Sequence, residues 1–296
     1  MIYTDYLQRL LFEETAARCV VVRLENVLGE VGRRCDDAPP VARQLLFEAL
    51  LLTALMSSGL KFSGRISLQI RSDSGPLRML VADCTDQGGL RGTVSVNAEE
   101  RLPDQVGDLI RPLRASAVLT LTLDPSEGGQ RWQGIVPFEG QCLADAVAGY
   151  FARSEQLPTV FRLASDGQVA AAIMLQRMPG NGLDSDGWHH LEQLLATVQD
   201  AELLTLSAEA LLRRLFHAER RRLFPARELR FHCPCSRERV EDMLLSLGPE
   251  ELTGMASDPD PVEVRCQFCN QSYRFEPEEL GALYPDDGVQ GSPTLH

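Results

Sequence analysis

Phe231-His232-Cys233-Pro234-Cys235-Ser236 and Val264-Arg265-Cys266-Gln267-Phe268-Cys269-Asn270 carry four cysteines in two tight pairs, with thirty residues between the inner members. Two such pairs separated by an insert have the spacing of a four-thiolate zinc site. Each short pair sets two sulfurs on one turn, and two turns brought together complete a tetrahedron that neither segment could build alone. One Zn2+ per chain is therefore expected, on Cys233, Cys235, Cys266 and Cys269. The first pair has a single intervening residue, tighter than the usual two-residue knuckle, and Pro234 stiffens it. His232 stands beside it, but four sulfurs already fill a structural site, so it reads as a neighbour and not a ligand.

The segment around these pairs is short and poor in large apolar side chains, and such a segment is marginal without a staple. Structural zinc contributes roughly 10–16 kcal/mol of apparent folding free energy in small peptides, against the ~5–15 kcal/mol net stability of a typical domain. Removing the metal is expected to unfold the segment. Oxidation is the obvious trigger, because an attacked thiolate leaves the metal and can close a disulfide with its partner one or three positions away. Arg230, Arg237, Arg239 and Arg265 lie within a few residues of the cysteines, and positive charge favours the thiolate.

Working outward, the 296 residues suggest two domains on a prior of about 150 residues each. At 44% apolar and 24% charged the composition is that of a soluble globular protein. The net charge is −13, and residues 229–296 contribute −8 of it, with five basic and thirteen acidic side chains. A field that would draw in nucleic acid or an anionic membrane is absent, so protein partners or small ligands are expected. No uninterrupted apolar run approaches the ~20 residues of a spanning helix. Met1 to Gln8 lacks the basic start and apolar run of a signal peptide, which makes the cytoplasm the expected compartment. Cys19, Cys35, Cys84 and Cys142 are scattered and read as small buried hydrophobes.

Residues 1–180 alternate strand and helix signals. Cys19 to Leu24, Arg65 to Arg71, Leu77 to Cys84, Ala117 to Leu123, Arg131 to Pro137 and Gln168 to Gln176 read as strands. Helices are expected at Val41 to Ser57 and Leu143 to Arg153. Helices this few, set between groups of strands, favour an α+β core over a regular βαβ winding. Gly180-Asn181-Gly182 breaks the pattern, and residues 181–228 turn helical. Trp188, Leu191, Leu194, Leu195 and Val198 recur at helical spacing, and Ser207 can cap a second helix with the stripe Leu211, Leu212, Leu215 and Phe216. Both helices are amphipathic, so they either pack as core or form a cover that can detach. Arg213, Arg214, Arg220, Arg221 and Arg222 read as a solvated face. Residues 229–284 then follow as a strand at Leu229 to His232, a helix from Ser236 to Leu247, a Pro- and Asp-rich loop, a strand at Val262 to Arg265 and a return through Tyr273 and Phe275. The tail 285–296 has almost nothing to bury and is expected to be disordered.

At these residues the sequence resembles the bacterial redox-regulated holdase family known as the thirty-three-kilodalton heat-shock protein. The resemblance is carried by Phe231 to Val240, by Val264 to Asn270 with Tyr273, and upstream by Leu215-Phe216-His217, Pro137-Phe138-Glu139-Gly140 and Ser57-Ser58-Gly59-Leu60-Lys61-Phe62-Ser63-Gly64-Arg65. It covers nearly the whole chain, departing at Leu45-Leu46-Phe47-Glu48, where a glycine is expected before the acidic residue, and at Cys35. It implies a large N-terminal mixed α/β core, a helical linker folded over it and a small C-terminal zinc-binding domain. It also implies that oxidants form the disulfides Cys233–Cys235 and Cys266–Cys269, that zinc leaves and the linker unfolds. The active chain, often a homodimer, then binds unfolding client proteins without ATP and without any catalytic residue. Two other classes compete with it. A structural zinc adaptor for nucleic acid is disfavoured by the −8 charge, and a thiol–disulfide oxidoreductase by a pair that follows a strand and is matched by a second pair.

Overall fold

The computed structural model describes residues 3–61, 63–126, 129–179 and 185–283. The chain divides into two units, Met1–His232 and Cys233–His296. In chain order the first unit holds β1 (Tyr6–Phe12), β2 (Ala17–Leu24), α1 (Asn26–Arg34), α2 (Pro40–Ser57), β3 (Gly64–Ser72), β4 (Leu77–Thr85), β5 (Gly89–Val96), α3 (Val106–Ser116), β6 (Ala117–Pro125) and β7 (Trp132–Pro137). It continues with α4 (Leu143–Tyr150), a π-helical turn (Phe151–Glu155), β8 (Thr159–Ser165), β9 (Ala170–Arg177), α5 (Ser185–Ala196), α6 (Asp200–Thr205), α7 (Ala208–Leu215), β10 (Arg221–Leu223), β11 (Arg227–Glu228) and β12 (Arg230–Phe231). The second unit holds α8 (Arg237–Leu245), α9 (Pro249–Ser257), β13 (Val262–Arg265), β14 (Ser272–Phe275) and α10 (Pro277–Leu283).

Two sheets organise the first unit, one in the order β10-β1-β2-β9-β8 with β11 also on β1, the other in the order β12-β5-β4-β3-β6-β7. The long pairings are antiparallel, and β12 joins β5 in parallel. Sheets of this kind with helices segregated around them make an α+β fold.

Helix α2 is the centre of the main core. Pro40 opens it at a position where a missing N–H costs nothing, and its Leu- and Ala-rich sequence is buried on nearly every side. Its 18 residues are long and apolar enough to cross a membrane, yet 78% of that stretch is buried inside the fold. The same composition serves a core helix enclosed by two sheets.

The first sheet is buried on both faces. Val20, Val22 and Leu24 of β2, with Ala170, Ala172 and Met174 of β9, face α2. Their alternates Ala17, Cys19, Val21, Ala171, Ile173 and Leu175 join a second cluster with Trp188, Leu191, Leu195, Leu211, Leu212, Leu215 and Phe216 of the helical region. An antiparallel sheet with one wet face reads as alternating apolar and polar residues. The unbroken run Cys19-Val20-Val21-Val22 reflects this second cover. Ser207 caps α7 as expected, its hydroxyl accepting the Ala210 N–H at 3.2 Å. The arginine run lies among acids: Arg213 pairs with Glu209 at 2.8 Å, Arg214 with Glu202 at 2.5 Å and Arg220 with Glu14 at 3.4 Å.

Several elements depart from the sequence expectation. Strands β1, β5 and β8 and helices α1, α3 and α6 were not anticipated. Helix α1 has no local side-chain cap. The carboxylate of Asp5 accepts the N–H groups of Glu25 at 2.8 Å, Asn26 at 3.1 Å and Val27 at 3.0 Å instead. Helix α3 runs through Pro112, which reads as a breaker. The helix expected at Leu143 to Arg153 ends as α4 and passes into the π-helical turn. The loop expected after residue 247 is largely α9, with Pro249 in its first turn, and α10 follows β14. The break at Gly180-Asn181-Gly182 and the tail 285–296 lie outside the described residues.

Candidate metal centre

The first cysteine pair lies immediately before α8, whose N-cap Ser236 accepts the Arg239 N–H on its hydroxyl at 3.3 Å. The second pair occupies the turn of the β13–β14 hairpin, where Arg265 and Ser272 are register partners. That turn is closed by Asn270 N–H to Cys266 O and Cys266 N–H to Gln271 O, both 2.9 Å. Asn270 takes φ 60, the left-handed region that asparagine tolerates better than most residues.

The four sulfurs lie within 4.8 Å of one another. Cys233 and Cys266 are 3.7 Å apart and Cys235 and Cys269 are 3.1 Å apart. A tetrahedral Zn2+ with bonds of about 2.3 Å asks for sulfur–sulfur edges of about 3.8 Å, so the donor set fits a single structural zinc in both chemistry and size. Each of the four thiols is half-buried.

Electrostatics within the cluster divide its thiols. Burial pushes the Cys235 thiol up, but hydrogen bonds from the Tyr273 hydroxyl and from Cys269, Cys233 and Cys266 outweigh it and leave Cys235 below the ordinary thiol value. Burial raises Cys269, and its bond to Cys235 raises it further. Tyr273 is pushed up to about 12, chiefly by donating to Cys235. The sequence marked Tyr273 only as part of a returning strand. On β14 it is the register partner of Val264 on β13.

Arg237, expected to favour the thiolates, is engaged elsewhere. It lies over the Phe275 ring at 4.3 Å, donates to Glu241 at 3.1 Å, to the Arg274 carbonyl at 2.9 Å and to Glu279 at 2.8 Å. It clips α8 to β14 and α10. His232 donates its N–H to Leu90 O at 2.9 Å in the first unit and is not among the clustered side chains. The strand expected at Leu229 to His232 is β12, which pairs with β5, so residues 229–232 belong to the first unit. Cys19, Cys35 and Cys84 are buried, but Cys142 is only partly so and caps α4 in a reciprocal arrangement with Asp145.

Among the described residues, the fully buried apolar side chains of the second unit are Leu244, Leu252, Phe275 and Leu280. At roughly 1.5–3 kcal/mol for each such side chain, their summed burial is about the size of what a structural zinc contributes.

A family model described as Hsp33 protein matches residues 5–276. A 33 kDa chaperonin of Azotobacter vinelandii is 42% identical over 296 residues, covering 98% of this chain and 97% of its own. One from Pseudomonas fluorescens (strain Pf0-1) is 39% identical over 301 residues, covering 99% and 98%. The crystal structure of the 33 kDa chaperonin (heat shock protein 33 homolog) from Thermotoga maritima superposes with a TM-score of 0.81 at 26% identity, covering 95% of this chain and 98% of that one. The match runs through the sheets, the covering helices and all four clustered cysteines, and the chain belongs to the Hsp33 family.

Proposed function

We propose that this chain is a redox-switched, ATP-independent holdase chaperone, with residues 1–180 as its core, 181–228 as a detachable linker and the expected 229–284 segment as a zinc-dependent switch, its start moved to Cys233 because β12 pairs with β5. The observation that carries this reading is the second face of the first sheet, where Leu10, Phe12, Val21, Ile173 and Leu175 are covered by helices α5 to α7. With the cover lifted, that face is a large contiguous apolar surface of the kind that captures exposed apolar segments of unfolding proteins.

In the reduced chain Cys233, Cys235, Cys266 and Cys269 would hold one Zn2+, which when bound supplies folding free energy the small apolar core of the second unit lacks. Oxidation then acts on the chain's own sulfurs. The two sulfurs of a pair become joined by an S–S bond, and two electrons pass to a peroxide, whose O–O bond breaks to give two waters after taking up two protons. In this reading the bonds form as Cys233–Cys235 and Cys266–Cys269, although contacts of 3.7 Å and 3.1 Å also run across the pairs. Closure within pairs leaves the α8 segment free of the β13–β14 hairpin, whereas closure across pairs would staple them together.

The chain between α7 and Cys233 is a strap of three strands of two or three residues each. Short pairings of this kind give little resistance to unfolding that starts at Cys233 and runs back into α7. Holding a client involves no turnover, so no catalytic residue is assigned. The oxidised form is proposed to pair with a second copy, and the protein to work in the cytoplasm, where reduced thiolates persist.

Peroxide or hypochlorite treatment tests the reading. Release of close to one zinc per chain is expected, together with suppression of aggregation of a heat-denatured client. Zinc release without protection would overturn the switch, and peptide mapping that found disulfides across the pairs would overturn the pairing.

A further inference from the structure

The inner face of the first sheet ends in a polar pair that the chaperone reading leaves unused. Along β2 the residues facing the main core run Leu24, Val22 and Val20, and the next inward position is Arg18. Along β9 they run Ala170, Ala172 and Met174, and the next is Gln176, the register partner of Arg18. Arg18 Nε donates to Gln176 Oε1 at 2.9 Å, and Gln176 Nε2 donates to Thr159 Oγ1 at 2.9 Å. Gln176 is 1% exposed. This relay fixes the guanidinium at the wall of a cavity of about 440 Å³ lined by residues of both sheets.

Most of that wall is apolar, with Leu121, Leu123, Trp132, Tyr150 and Phe151 prominent. Its charged members are Arg18, Lys61 and Glu155. The Glu155 carboxylate accepts the Tyr150 hydroxyl at 2.9 Å, and among the described residues neither Arg18 nor Lys61 forms an ion pair. Burial, and then the nearby Arg9, lower the Arg18 pKa from its ordinary value. With the Glu155 carboxylate committed to Tyr150, a cation held at an apolar wall without an ion-pair partner is costly, and a bound anion offsets that cost.

Two glycines keep the cavity in this form. A Cβ at Gly59 would stand 3.1 Å from Arg18 Nη2, and one at Gly134 would stand 2.7 Å from the Trp132 ring and 3.0 Å from the Tyr150 ring. Gly59 therefore makes room for the guanidinium, and Gly134 for two rings that meet edge to face at 6.2 Å. Gly59 and Lys61 both lie in the Ser57 to Arg65 stretch singled out in the sequence, to which the switch assigns no task.

We propose that this cavity binds a single-chain anionic amphiphile, a fatty-acid-type carboxylate whose head pairs with Arg18 and Lys61 and whose chain lies against Trp132, Tyr150 and Phe151. The volume falls within the ~300–1,000 Å³ of small-molecule sites. A polypeptide C-terminus carries the same head group, but its backbone amides would be stranded against apolar walls. A hydrocarbon chain leaves nothing unpaired.

The test uses the full-length, reduced, zinc-loaded protein and isothermal titration with decanoate below its micellar range. Saturable one-to-one binding is expected, with decanol weaker by about tenfold or more, the loss of a charged hydrogen-bonded head, and decyltrimethylammonium weaker still. Arg18→Met is expected to reduce decanoate affinity by a similar factor while leaving decanol unchanged. Should that variant misfold, Lys61→Met on the exposed rim gives a smaller loss of the same sign, and the head-group comparison stands on the wild-type chain. Equal binding of decanol and decanoate, or no saturable binding, would overturn the proposal. So would a C-terminally free trileucine peptide that bound more tightly than decanoate, because it would transfer the site to polypeptide ends.

Discussion

Phe216→Ala isolates the contact on which the proposed switch turns. Phe216 is 0% exposed at the end of α7, and its ring meets that of Phe12 on β1 edge to face at 5.0 Å and 83°. Truncating a buried phenylalanine costs about 3–5 kcal/mol, of which an edge-to-face pair accounts for roughly 0.5–1.5 kcal/mol. If α5 to α7 lift as a cover, this cost falls on the closed state. At 1.4 kcal/mol per factor of ten, the open population then rises about a hundredfold to several thousandfold. Hydrogen exchange measured on peptides from α5 to α7 in the reduced, zinc-loaded protein should accelerate by that factor. Zinc should remain bound, and the variant should protect a heat-denatured client with no oxidant present. Phe12→Ala removes the same contact from the sheet side and should open the cover equally, yet protect less well, because the ring it deletes belongs to the proposed client surface. Faster exchange in α5 to α7 without client protection would refute the cover as an inhibitor. Loss of exchange protection in β1, β2 and β9 together with the helices would show that helices and sheet are one ordinary core.

Cys266→Ser removes one of four sulfurs and with it most of the roughly 10–16 kcal/mol that a structural zinc supplies, so reduced protein should carry almost no zinc and show no exchange protection in 233–283; zinc near one per chain would mean the four-sulfur site is misread. Glu48, on α2, is raised to about 7 by burial. The folded chain keeps a proton there that the unfolded chain releases near its ordinary value of 4.5, so stability falls as pH rises from about 4.5 to 7 and is level above. Glu48→Gln should therefore add up to about 3 kcal/mol at pH 8 and little at pH 4, read from denaturant midpoints; an equal effect at both pH values would refute the assignment.

The candidate metal centre was legible because its information is local. Cysteine spacing at 233, 235, 266 and 269 survives any arrangement of the rest, and the caps at Ser207 and Ser236 are made within one turn of chain. Strands β2 and β9 showed themselves by unbroken apolar runs, and α2 by length and Leu content. Helix α1 did not, because its cap is Asp5, twenty residues upstream. Helix α3 was hidden by Pro112, and β5 by Gly89 and Gly92, which dilute the strand signal. Only the folded chain shows that Tyr273 bonds Cys235, that Arg237 is committed to Glu241 and Glu279, and that Cys142 is a cap. The same holds for the inner face of the first sheet, where Arg18 and Gln176 meet across strands 158 residues apart. Spacing and periodicity within a segment were enough to mark the four clustered cysteines as candidate metal ligands, the α+β class and the amphipathic helices over the first sheet. What those apolar faces bury, and how Arg18 comes to line a cavity between two sheets, depends on contacts between segments far apart in the chain, which spacing within a segment does not reveal.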